Sequence, residues 1–461
     1  MDVKYAVGTL CRKKGVKGMS VSRRELIAYG TVGALTALTK GRPAIAEGAG
    51  QDGPLSGQVP MQVATDRPPR LAASGSDGYD MRNDLKPRRL TIAMWDVAFA
   101  LRHGPNGSFA DYDRVLDDAV ERGYNTLRID PMPQWLDFSK PDRILEWPDP
   151  HQPYMPWNWN TVVKGPVALW VIDFIEKLQK RSSLYYTLSG WWFMPGSPTS
   201  PPVPAVLRKP ANMAEGAEMW AVLLADWRKR FGFDRILYVD IANETPYFFP
   251  GLQEQLKKAT GAGFEEYPAF SVAQTAFLSN EINKALGLLR REFPELRFTT
   301  SIHGDLRWLD VPLELDCLDV HFYADADPRW SERTRFGEFS GDHLFETDRW
   351  FKEFSERSTR TAAAMAPMLR ARQRFKMKEF AEWSMRRGAP LTTSEAWATW
   401  FYIDDPKLDW GWLLDWAKWS CDDAIVYKFW GWTPHNYAQP QFANWNDVQW
   451  HRTLNERFLR G

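Results

Sequence analysis

The chain predicts an α/β fold, a single (β/α)8 TIM barrel. Three observations carry that expectation. From residue 90 onward, short β-branched and apolar runs alternate with helix-length segments, the pattern of a parallel sheet covered by helices. Eight such pairs can be counted, with no ninth run. Polar residues end most of the runs, and the carboxyl rim of a barrel is where such residues collect.

The first run is Leu90 to Trp95, ending Met94-Trp95-Asp96, and a helix from about Phe109 to Arg122 follows, with Gly123 where a helix stop belongs. The second run, Thr126 to Ile129, contains Arg128. Helix Pro166 to Arg181 leads to the third, Leu184 to Leu188, which closes on Ser189-Gly190-Trp191-Trp192. Helix Met213 to Phe231 leads to the fourth, Ile236 to Ala242, followed by Asn243-Glu244. A long helical stretch, Tyr267 to Phe293, precedes the fifth run, Arg297 to Ile302, with His303 next. The sixth is Leu318 to Tyr323. A helix around Thr361 to Trp383 precedes the seventh, Pro390 to Thr393, followed by Ser394-Glu395. The eighth, Ala424 to Phe429, follows a helix near Trp410 to Ser420 and ends at Trp430. Two connections are long, 131–165 after run two and 324–360 after run six, and specificity loops belong at both places.

Ahead of the barrel domain, 86–461, the chain reads as an address and a tether. Ser22-Arg23-Arg24-Glu25-Leu26-Ile27, a mild apolar stretch from Ala28 to Leu38, and Ala44-Ile45-Ala46 have the order of a bacterial twin-arginine (Tat) export signal over 1–46. The apolar stretch is too short to span a membrane stably, and Met19 is an alternative start. Residues 47–85, rich in Gly, Pro, Ser, Asp and Gln, read as a flexible leader. The expectation is a periplasmic or secreted protein that meets the Tat translocase during export.

Lys+Arg and Asp+Glu both number 58, so formal charge is zero and no electrostatic footprint for nucleic acid exists. Cys11, Cys317 and Cys421 are the three cysteines, and the last two read as buried free thiols. Seven His without a closely spaced ligand cluster give no metal signal, and nothing calls for a cofactor. The 24 Trp exceed what a core of this size needs, so some should line a surface for flat sugar rings.

The polar residues at the run ends form one ring: Asp96, Arg128, Asn243, Glu244, His303, His321, Tyr323, Glu395 and Trp430. Arg after run two, Asn-Glu after run four, His-x-Tyr in run six, Glu after run seven and Trp at run eight resemble, in that order, the cellulase-type retaining glycoside hydrolases of clan A. The resemblance covers residues 90 to about 440. It implies hydrolysis of a β-linked polysaccharide or oligosaccharide by double displacement, with Glu244 as acid/base and Glu395 as nucleophile. Glu244 needs a carboxyl pKa raised toward working pH, and Glu395 should be kept ionised by Arg128 and a Tyr323 hydroxyl hydrogen bond. Asn243 would bond the sugar 2-hydroxyl, Trp430 would lie under the ring, and Arg128, His321, Tyr323, Trp95, Asp96, His303 and Trp191 would complete the sugar contacts.

Each residue also has a structural use: Glu244 as a helix N-cap, Glu395 in an ion pair, Arg128 paired with Asp130 or Asp96, His321 as a strand-end histidine. The clusters Trp157-Asn158-Trp159-Asn160, Trp191-Trp192 and Trp430-Gly431-Trp432 could either shape a cleft or pack the rim. Run three lacks the His or Asn that many cellulase-type enzymes carry there, which leaves the sugar open. A transglycosylase on the same scaffold, or a catalytically silent sugar-binding barrel in an exopolysaccharide system, fits the same residues.

Overall fold

The computed structural model describes residues 80–147, 163–192, 210–249, 251–264, 269–336, 347–398 and 402–461. The export signal, the leader and the Trp157–Asn160 cluster lie outside the described residues. Strands β1 (Leu90–Asp96), β2 (Thr126–Ile129), β5 (Tyr185–Ser189), β6 (Ile236–Asp240), β7 (Phe298–Thr299), β8 (Ile302–His303), β9 (Leu318–Tyr323), β10 (Leu391–Thr392), β11 (Ala396–Trp397) and β12 (Gly431–Trp432) form one parallel sheet. β3 (Leu145–Trp147) and β4 (Val163–Gly165) form a separate antiparallel pair inside the 131–165 connection.

The sheet closes on itself. β7 pairs with β6 and β8 pairs with β9, so together they are one strand interrupted at residues 300–301. β10 and β11 both pair with β9, and β10 continues to β12, which pairs with β1. Counting the two split strands once each gives eight, a (β/α)8 barrel. All seven residues of β1 are buried, as expected for a strand lying between packed side chains inside and helices outside.

The helices are α1 (Ala98–Leu101), α2 (Tyr112–Glu121), α3 (Val167–Gln179), α4 (Met213–Phe231), α5 (Leu252–Thr260), α6 (Val272–Glu292), α7 (Pro328–Thr334), α8 (Thr347–Arg387), α9 (Gly411–Val426) and α10 (Val448–Arg460). Their starts follow side-chain chemistry. Asp111 and Asn212 accept N–H bonds at the starts of α2 and α4, and Ser271 with Gln274 closes a reciprocal capping box on α6.

Two expectations need correction. The 324–360 connection is largely helical: it holds α7 and the start of the 41-residue α8, which runs through Pro367. The expected eighth strand, Ala424 to Phe429, is also displaced. Ala424, Ile425 and Val426 form the last turn of α9, with Ala424 buried and Val426 exposed, and pairing begins only at Trp430, which bonds Leu391 O and receives Leu90 N–H. Gly431 then sits so close to β10 that a Cβ there would meet Thr392 Oγ1 at 2.1 Å.

Candidate active site

Eight of the ring residues meet at the carboxyl end of the barrel. Arg128, on β2, is 1% exposed and its guanidinium is the hub. Nη1 donates to Glu395 Oε2 at 3.0 Å and lies 3.0 Å from Asp96 Oδ1. Nη2 donates to Ser189 Oγ at 3.0 Å and Asn243 Oδ1 at 2.5 Å. One rigid fork with several donors can bond three partners and pair with the charge of a fourth, Asp96, which a lysine cannot. Asp130, the alternative partner, instead accepts the backbone N–H groups of Met132 and Trp191.

Glu244 and Glu395 face each other. Tyr323 donates to Glu395 Oε1 at 2.5 Å and its hydroxyl is 3.3 Å from Glu244 Oε1, so one hydroxyl bridges the two carboxyl groups. Asn436 Nδ2 in turn donates to that hydroxyl at 3.2 Å. His303 Nε2 lies 2.7 Å from Glu244 Oε2, and His321 Nδ1 lies 2.9 Å from Glu244 Oε1 and 3.6 Å from Glu395 Oε2. Glu244 is therefore no helix cap; its N–H donates to Ser301 Oγ and its φ is +48°. A non-glycine residue in that region is strained, and strain is tolerated where surrounding bonds over-determine a functional group. Donor atoms of Glu244, His321 and Glu395 lie within 4.8 Å of one another, a set that by type and spacing could also hold a metal ion.

The electrostatics divide the pair differently from expectation. Burial alone would raise Glu244, but the charges and hydrogen bonds of His303 and His321 outweigh it and hold the carboxyl well below the usual range. Burial and the Glu244 charge push Glu395 up, against His321 and Arg128. Burial works against a charged His321, yet Glu395 and Glu244 raise it to about 9, so it carries a proton at neutral pH. The pKa of Glu244, expected to be raised toward working pH, is instead lowered by the two imidazoles beside it. Tyr323 is pushed well up by burial and by both carboxylates, and so stays a donor.

Two expected sugar contacts behave otherwise. Trp430 is fully buried one residue before β12, at the amino end of the barrel, packed with Leu85, Leu90, Ile92 and Tyr238, and its indole donates to Pro87 O. It cannot lie under a sugar at the opposite end; the misplaced eighth strand put it there. Trp95 points outward from β1 against Phe109, Phe174 and Trp445, because alternation sends its neighbour Asp96 inward. Trp191 stays at the rim, 7% exposed and edge-on to Phe248, while Trp192 and Trp432 are buried.

Sequence reasoning missed Ser189, Asp240, Ser301, Asp319, Ser394 and Asn436. Asp319 was legible: it shares the inward face of β9 with His321 and Tyr323 at a spacing of two. Asn436, four residues past β12, carries no periodic signal.

The family described as cellulase-like, sugar-binding cellulase-like, matches residues 92–459. The chain belongs to this cellulase-like family. Among solved structures, a candidate glycoside hydrolase from Parabacteroides distasonis is similar at TM-score 0.63 and 23% identity, over 80% of this chain and 93% of that one. Two others are an endoglucanase from Thermotoga maritima (TM-score 0.45, 12% identity, 82% of this chain and 100% of that) and the cellulose synthase subunit Z of Clostridioides difficile (0.44, 12%, 80% and 99%). No curated protein matches. The family match and the barrel thus agree on a cellulase-like fold, with its polar ring at the rim where barrels of this kind carry chemistry.

Proposed function

We propose that the protein is a retaining glycoside hydrolase acting on a β-linked polysaccharide or oligosaccharide. The observation that carries this reading is the pairing of Glu244 and Glu395, whose nearest donor oxygens fall within 4.8 Å under one bridging tyrosine hydroxyl. Retaining enzymes hold their carboxyl groups about 5–5.5 Å apart, whereas inverting ones need about 6.5–9.5 Å to admit a water between them. Glu395 is the nucleophile: both oxygens are held, one by Arg128 and one by Tyr323, which fixes the attack direction and stabilises the anion. Glu244 protonates the departing oxygen and then activates water. Its proton comes through His321, raised to about 9 and bonded to Glu244 Oε1, because Glu244 alone is held ionised. Asn243 Nδ2, buried and without a hydrogen-bond partner among the described residues, is free to meet the sugar 2-hydroxyl. Trp191 forms part of the cleft wall. Tat export into the periplasm or beyond belongs to the same reading, and Arg23→Lys with Arg24→Lys should block it.

A second reading, a sugar-binding barrel without turnover, is favoured by one observation: the two histidines keep the acid position deprotonated. Activated aryl β-glycosides distinguish the two. Wild type should release the aglycone with retained configuration, Glu395→Gln should lose at least about 10³-fold, and azide should rescue Glu395→Ala with an inverted product. Tight sugar binding with no turnover in wild type would leave only the second reading.

A further inference from the structure

Asp96 has no use in the chemistry above, and its surroundings are unusual. It closes β1 with its side chain 2% exposed and its φ at +41°. Neither carboxylate oxygen accepts a hydrogen bond from any described residue. Arg128 Nη1 is 3.0 Å from Oδ1 and pairs with its charge, but its N–H groups do not point at that oxygen, and one of them bonds Glu395.

The other buried aspartates of the mouth are spent. Asp130 holds Met132 and Trp191 N–H, Asp240 holds Ser301 N–H and the Ser189 hydroxyl, and Asp319 holds Ser394 and Tyr238. A buried carboxylate with two unsatisfied oxygens is costly, and a native site keeps one where something else completes it. Asn243 Nδ2, on the other side of the Arg128 fork, is an unpartnered donor in the same position. A pair of acceptors and a donor thus flank the nucleophile on one guanidinium.

We propose that Asp96 determines substrate specificity at the glycosyl subsite. Its two oxygens accept hydrogen bonds from donors on neighbouring carbons of the ring that Glu395 attacks. This rests on the sugar site proposed above and names its substrate class: sugars with free hydroxyl or amino donors at those carbons. Uronic acids are excluded, because their carboxylate would stand against Asp96 and Glu395 in a dry site. Burial first, with Glu395 adding to it and Arg128 opposing, takes Asp96 up to about 7. A bound donor pair favours the ionised form, so binding near pH 7 should release protons.

The test uses aryl β-hexosides of gluco and manno configuration, their single-deoxy and 2-amino analogues, and the uronides, with wild type, Asp96→Asn and Asp96→Ser. Wild type should discriminate against one or two deoxy analogues by roughly 10²-fold and against uronides by more. Asp96→Asn should lose about tenfold or more on the parent sugar and under about threefold on those deoxy analogues. Proton release on binding, read by calorimetry in buffers of different ionisation heat, should vanish in both variants. The amino analogue separates ammonium from hydroxyl recognition: if it binds better than the parent, the donor is the ammonium. An equal loss on every analogue, or a uronide accepted like its parent, overturns the proposal. If hexosides bind but are not cleaved, the same series is read by affinity, and the hydrolase reading falls alone. Sugars that neither bind nor react overturn both.

Discussion

Removing Arg128 asks most directly whether the barrel mouth is a built site. Its guanidinium faces Glu395 and Asp96 at 3.0 Å each and also bonds Ser189 and Asn243. A unit charge about 4 Å from a carboxylate is worth about 4 kcal/mol at an effective dielectric of 20, and two carboxylates face this one. Both can take up protons once stranded, which limits the loss. Truncating one partner of a buried pair costs about 3–5 kcal/mol. Arg128→Met should therefore lower the free energy of unfolding in urea by about 3–5 kcal/mol at pH 7. The loss should shrink toward pH 5, where Asp96, raised to about 7, is protonated. Arg128→Lys keeps a charge but no fork, and about 1–3 kcal/mol is expected. Activity follows the same logic. A nucleophile must be ionised, and without the guanidinium the Glu395 carboxyl rises further, so the acid limb of the kcat/KM profile should move to higher pH. A loss under about 1 kcal/mol in Arg128→Met, with an unmoved acid limb, would refute the reasoning.

Tyr323→Phe removes the hydroxyl bridging the carboxyl pair and should lower kcat about 10–100-fold with KM little changed, measured on an aryl glycoside. His321 rises from 6.5 to about 9 on folding, so its stabilisation is complete below pH 6.5 and is lost as pH climbs through 9. Wild-type thermal midpoints should fall across that window, and those of His321→Gln should not. Trp430→Leu should cost about 2–4 kcal/mol in urea unfolding and leave KM alone; a raised KM with unchanged stability would return Trp430 to the substrate. Chelation should leave activity intact, whereas loss reversed by one divalent cation would make Glu244, His321 and Glu395 a metal centre.

The barrel was legible because period-two and helical patterns survive in a single sequence: β2, β9 and α4 fall where the apolar runs put them. The eighth strand was not, since Ala424, Ile425 and Val426 satisfy a strand pattern as well as the end of a helix. That single slip carried Trp430 to the wrong end of the barrel. The polar ring was legible from residue type and position, because few strand-end carboxylates are affordable without partners. Orientation was not. Trp95 and Asp96 are adjacent, and only the pleat decides which one faces inward. The proton distribution was also hidden, because it depends on His303 and His321 both reaching Glu244 from neighbouring strands.

The way the mouth is tied together explains how those side chains hold their places. Asp130 after β2 takes the N–H of Trp191, just past β5. Asp240 on β6 takes the N–H of Ser301, between β7 and β8. Asp319 on β9 takes the N–H and hydroxyl of Ser394, just past β10. In each case a buried carboxylate grips the backbone of the next strand in the ring, through charge-assisted bonds stronger than a neutral ladder bond. The proposed catalytic residues ride on what is gripped. Glu395 follows Ser394 directly, and Glu244 hangs by its N–H from Ser301 Oγ, whose own N–H Asp240 holds. Glu395 therefore takes its position from β9 and Glu244 from the β6–Ser301 link, and Tyr323, on β9 itself, closes the circuit between them. Such a mouth is set before any ligand arrives, as stabilisation of developing charge requires, because donors that must reorganise during the reaction lose most of their advantage over water.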